Sequence, residues 1–100
     1  GWVMAPAIIL LHEDDNVVVC CRTVTAGEHI TADGVDIIAA EQVALGHKLA
    51  RIDLPAGTKV IKYGAPIGSM THPVKAGGWV HMHNMKSDYI SAHLRDAAKG

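Results

Sequence analysis

Near the end of the chain, Trp79-Val80-His81-Met82-His83-Asn84 places two imidazoles two residues apart with an amide directly behind them. On a strand, His81 and His83 share a face with Trp79, their Cβ atoms about 6–7 Å apart for a rise of ~3.3 Å per residue. Two imidazoles at that separation can converge on one divalent ion, because histidine nitrogen suits iron, manganese, zinc and other first-row metals. Asn84 could add an amide oxygen or orient a substrate hydroxyl. The same spacing also fits a half-exposed polar strand face with no ligand at all.

Further chemistry-bearing residues lie far away in sequence. His12 opens the acidic stretch "HEDDN" (12–16), where Glu13, Asp14 and Asp15 could fold toward the histidine pair. Asp and Asn side chains also cap turns through their own backbone, so this stretch equally reads as a polar turn. His47 sits beside Lys48 in "GHK", whereas His72 and His93 read as surface residues. Lys62 and Tyr63 alternate across an expected strand, so one of them can face any given site as a general acid or base.

The elements that must position these groups are short. Apolar runs alternate with turn signals about every ten residues, the pattern of an all-β domain. "AIILL" (7–11), "VVVCC" (17–21), "VDIIA" (35–39), "KLARID" (48–53), "KVIKY" (59–63) and "GWVHMH" (78–83) read as strands. "DIIAAEQVALG" (36–46) is ambiguous and could hold one helical turn ended by Gly46. The segment 87–100 has Ser87 as an N-cap and Ile90, Leu94 and Ala98 at helical spacing, so a short C-terminal helix or a frayed tail is expected.

A weak repeat runs through the chain. "VTAGEHI" (24–30), "LPAGTKV" (54–60) and "VKAGGWV" (74–80) share an apolar residue, one residue, Ala-Gly, two residues and an apolar residue. Gly27, Gly57 and Gly77 fall where a tight turn needs positive φ. Three such corners in one hundred residues imply a folded-over β structure rather than an extended sheet. The length sets a single domain over 1–100 with its core at about 7–86.

Composition excludes several functions. The net charge of −1 is spread without a basic stripe, so nucleic acid has no electrostatic footprint. No apolar run approaches the ~20 residues of a membrane span. Residues 2–11 lack a basic leader and are interrupted by Pro6, so they do not read as a signal peptide. Cys20 and Cys21 are adjacent, and a bond between strand neighbours would be strained, so both are expected as reduced thiols in a cytoplasmic protein. Exposed sheet edges leave pairing between copies, a homo-oligomer, open.

Taken together, "LHEDDNVVV" (11–19), "GHKLARIDLPAGTKVIKYGAPIG" (46–68) and "AGGWVHMHN" (76–84) resemble, in that order, the SAF domain of the altronate/galactarate dehydratase family. Asp53-Leu54-Pro55-Ala56-Gly57 also resembles the hairpin signature of SAF domains generally. The likeness covers roughly residues 8–86, and the tail "MKSDYI" is more similar to altronate-type small subunits than to sulfo-lyase ones. The resemblance implies an all-β SAF-type β-clip fold with small α content. It implies a hydro-lyase that removes water from an aldonate or aldarate to give a 2-keto-3-deoxy acid, acting with a large catalytic subunit and inactive alone. It also implies a divalent metal, usually Fe2+, with Mn2+ or Zn2+ as alternatives. Carried over residue by residue, the motif makes His81 and His83 the metal ligands and His12, His47 and Asn84 the substrate-binding residues. Lys62 and Tyr63 follow as second-rank catalytic groups. The rival readings are a sulfolactate sulfo-lyase small subunit and a non-catalytic sugar-acid-binding or docking module. No carboxylate stands at ligand spacing beside the histidine pair, so a complete metal site calls for ligands from the partner.

Overall fold

The computed structural model describes residues 6–88. Strands β1 (Ile8–Ile9), β2 (Val17–Cys20), β5 (Lys48–Ala50) and β8 (Trp79–Val80) form an antiparallel sheet in the order β1-β2-β5-β8. Strands β3 (His29–Ala32) and β4 (Val35–Ile38) form a separate hairpin. Strands β6 (Lys59–Lys62), β7 (Ala65–Met70) and β9 (Met85–Lys86) make a third sheet in the order β6-β7-β9. The all-β expectation holds. The expected C-terminal helix or tail falls outside the described residues, apart from Ser87 and Asp88.

Side-chain alternation explains how so thin a chain builds a core. Along β2, Val18 and Cys20 join one buried cluster with Ile8, Leu49 and the β3–β4 residues Ile30, Val35 and Ile37. Val17 points the other way, into a second cluster with Ala50, Leu54, Val60, Met70 and Val80. The central sheet is therefore covered on both faces, and a strand buried on both faces reads as a continuous apolar run rather than an alternating one. That is why "VVVC" carries no polar residue.

Four corners, not three, fold the chain. Val24 bridges Val43, and Leu54 bridges Val74. Each of these four residues is followed three positions later by a glycine in the left-handed region: Gly27, Gly46, Gly57 and Gly77. The corner at Gly46 was hidden because Leu45 replaces the alanine of the repeat. It also resolves the ambiguous stretch 36–46, which is β4 followed by bends and the Val43 bridge, with no helical turn. The corners pair into two similar halves offset by about 30 residues. Gly46 N–H donates to Cys20 O as Gly77 N–H donates to Ala50 O, both at 2.8 Å. Each half carries a hairpin whose two central residues have positive φ, Asp33-Gly34 and Tyr63-Gly64, as a type I′ turn requires.

Candidate active site

Two corrections to the expected strands shape the site. Strand β8 ends at Val80, and residues 81–84 form a turn, so simple strand alternation does not place His81 and His83. Asn84, buried, builds that turn: its Oδ1 accepts the His81 N–H at 3.0 Å and its Nδ2 donates to Trp79 O at 2.9 Å. Likewise β6 carries a register shift between Val60 and Ile61, and Tyr63 lies beyond its end in the hairpin turn. Lys62 is half-buried whereas Tyr63 is 69% exposed, which leaves the tyrosine ring in solvent.

The histidine pair still converges, through the indole. The Trp79 and His81 rings are nearly parallel with centroids 5.2 Å apart, and His83 lies against the same indole at 4.7 Å. His47, from the Gly46 corner, joins them at 4.9 Å from His81 and 5.6 Å from Trp79. The Trp79 Nε1–H donates to His47 Nδ1 at 3.2 Å. An accepting Nδ1 puts the proton of the neutral ring on Nε2, so His47 presents a donor outward and no free lone pair. Partial burial pushes the His81 imidazole below its ordinary value of 6.5, helped by the positive charges of His47, Lys48 and His83. A neutral ring at neutral pH is the form that ligates a metal or accepts a proton.

His12, in the turn between β1 and β2, covers the tip of the β6–β7 hairpin. Its ring covers Gly64 so closely that a Cβ there would meet three ring atoms at 3.1–3.2 Å. Its Nδ1 accepts the Asp14 N–H at 3.0 Å, which again leaves Nε2–H as the outward donor. The acidic stretch behind it is structural. Asp15, 2% exposed, takes the Gly64 N–H at 2.8 Å and the Tyr63 N–H at 3.0 Å. Asn16 accepts from Ile61 N–H and donates to Lys59 O, both at 2.8 Å, and Arg51 donates to Glu13 O and Asp15 O. Asp15 and Asn16 do cap backbone, but that of a distant hairpin rather than their own.

The sequence reading missed Lys48. It lies in the middle of the central sheet, opposite Val19 and Val80, and is half-buried. Burial lowers its pKa, and the positive charge of Lys62 lowers it further. Lys48 pairs across the sheet with Val80, the residue directly before His81. The one signal for it was a lysine heading the apolar run "KLA". Asp15, Arg51 and Trp79 were also undervalued, each acting through contacts between segments far apart in sequence.

Among the described residues no group of three or more His, Cys, Asp or Glu is arranged to hold an ion. Among the site histidines, His12 and His47 have their Nδ1 atoms occupied, which leaves His81 and His83 with lone pairs to offer.

Short strands folded about paired corners, with a histidine–tryptophan cluster at one end, define a SAF-type β domain. The chain belongs to the altronate/galactarate dehydratase SAF domain family, which it matches over residues 6–88. Altronate dehydratase of Bacillus subtilis strain 168 is 33% identical over 88 residues, covering 88% of this chain and 18% of that enzyme. Altronate dehydratase of Escherichia coli K12 is 38% identical over 80 residues, covering 80% of this chain and 16% of the enzyme. The (2R)-sulfolactate sulfo-lyase subunit alpha of Paracoccus pantotrophus is 42% identical over 60 residues, covering 58% of this chain and 90% of that subunit. The chain thus spans less than a fifth of the dehydratases it matches and most of the sulfo-lyase subunit's length.

Proposed function

We propose that this chain is the SAF component of a sugar-acid dehydratase of the altronate/galactarate type, acting with a large catalytic partner. The observation that carries the reading is the gathering of His47, His81 and His83 around Trp79 by segments distant in sequence. Family membership supports it. Removing a proton α to a carboxylate needs a base and stabilisation of the charge that develops, and the departing 3-hydroxyl needs an acid. In this reading the Nε2–H groups of His12 and His47 bind substrate oxygens, and Asn84 positions the His81 turn. Lys62, with Tyr63 behind it, is the acid–base candidate. A divalent ion, Fe2+ before Mn2+ or Zn2+, would draw ligands from His81 and His83 and the rest from the partner, because the described residues alone gather no third ligand. A reducing, cytoplasmic setting suits the unpaired Cys20 and Cys21.

The test is reconstitution with a large catalytic subunit, reading keto-acid formation from altronate and galactarate. Turnover should need both chains and should fall on the order of 100-fold or more in the His81→Ala/His83→Ala double variant. Metal content of the anaerobically purified complex should fall with it. Full turnover by the partner alone would sink the proposal. A second reading, a sulfo-lyase small subunit, draws on the 42% identity to the Paracoccus pantotrophus subunit. Sulfite release from sulfolactate, with no keto acid from the sugar acids, would select it.

A further inference from the structure

We propose that Lys48 and Lys62 form an anion-recognition site beside His81, and that it takes the carboxylate of a polyhydroxy acid. The proposal rests on the sugar-acid reading of the same end of the domain and assigns its charge recognition to a residue outside the histidine motif. Lys48 leaves the middle strand of the central sheet, paired on one side with Val19 and on the other with Val80. Its backbone is therefore held on both flanks. Lys62 ends β6, directly before the Tyr63–Gly64 turn that His12 covers and Asp15 clasps. Both lysines are half-buried.

Half-buried lysines are ordinarily paired, because taking an ammonium out of water is costly unless an opposite charge replaces the lost hydration. Neither of these is. Among the described residues the ammonium groups of Lys48 and Lys62 make no hydrogen bond or ion pair, while Lys59 pairs with Asp88 and Lys75 with Asp53. Asp15, the carboxylate that reaches the tip of this hairpin, is committed to two backbone N–H groups, and Asp53 pairs with Lys75. The charged group that acts on Lys48 is Lys62, itself a cation. Two neighbouring like charges without a counter-charge are a cost to the fold that an anion removes. A carboxylate between them would satisfy both ammonium groups, and hydroxyls on the same ligand would meet the Nε2–H donors of His47 and His12. Aldonates and aldarates combine those two features; neutral polyols and inorganic anions each have only one.

The experiment is NMR titration of the full 100-residue chain with galactonate, following lysine and histidine side-chain signals, with galactitol and inorganic phosphate in parallel. Galactonate should shift the Lys48, Lys62 and His47 signals, galactitol should not, and phosphate should bind at least tenfold more weakly. Lys48→Met and Lys62→Met keep the apolar stem and should each weaken galactonate at least tenfold, while Lys48→Arg retains binding. A native backbone spectrum for each variant separates lost recognition from lost folding. Wild-type affinity in both methionine variants, no galactonate binding at all, or phosphate binding as tightly as galactonate would each overturn the proposal. Galactonate bound through Lys48 by a chain whose complex yields no keto acid would leave this site standing and sink only the dehydratase reading.

Discussion

Asn84 follows the histidine motif in sequence, where it invites a role in holding ligand, yet both ends of its amide are committed to backbone. Replacing it by alanine removes the acceptor for His81 N–H and the donor to Trp79 O within a buried turn. The expected loss is about 1–3 kcal/mol in urea unfolding, with the His81 and His83 ring signals displaced together. Asn84→Asp keeps the acceptor and loses the donor, so it should recover part of that loss. The two cysteines differ just as sharply. Burial raises the Cys20 thiol, with a contribution from neighbouring Cys21, from 9.0 to about 11, while Cys21 is exposed. A thiol reagent at about pH 8 should therefore modify Cys21 in the native protein and reach Cys20 only after unfolding. Because the folded-state value is raised, the neutral thiol's contribution to stability is fully present below pH 9.0 and is lost as pH rises through about 11. Alkaline unfolding monitored by circular dichroism should show that loss, and Cys20→Ala should abolish this pH dependence at whatever cost in packing.

At the scale of elements, the β6–β7 hairpin depends on a segment far from it in sequence. Asp15 holds its tip through the Tyr63 and Gly64 N–H groups, and Asn16 holds its β6 strand through Ile61 and Lys59. Asp15→Asn offers one acceptor oxygen where two are needed and turns an amide N–H against a backbone N–H. The variant should lose about 3 kcal/mol, and hydrogen exchange at Tyr63 and Gly64 should accelerate before the central sheet opens. Glu13→Gln, on the exposed side of the same stretch, should leave both measurements unchanged. This pair of residues also marks where sequence reading stops. Turn chemistry was legible in "HEDDN" because Asp and Asn cap backbone wherever they meet it. Which backbone they meet is a matter of tertiary approach, and no local pattern encodes it. The same limit hid Lys48, whose significance lies in the burial and the neighbouring Lys62 that β6 supplies. By contrast, the Ala-Gly corners at Gly27, Gly57 and Gly77 were readable, since positive φ restricts residue type at the position itself.

At the scale of the whole molecule, the chain is two copies of one pattern folded against each other, and the copies are not equally constrained. Gly46 and Gly77 hold equivalent corners, with φ of +86° and +87°. A Cβ on Gly46 would meet nothing within 4 Å, whereas one on Gly77 would lie 1.9 Å from Ile38 O. The difference arises because Gly77 is where the second half crosses the first: its carbonyl accepts the Ala40 N–H at 3.0 Å just beyond β4. Gly46→Ala should therefore cost only the left-handed backbone penalty, about 1–2 kcal/mol, and leave the fold unchanged. Gly77→Ala carries the same penalty and must also push β4 away from the corner that leads directly into Trp79 and the histidine turn. Its cost should exceed 4 kcal/mol, roughly the threshold for exceptional point changes, and surviving folded protein should show altered Trp79 fluorescence. Equal costs at the two glycines would mean that the halves move independently. The histidine cluster would then be held by its own turn rather than by the packing of one half on the other.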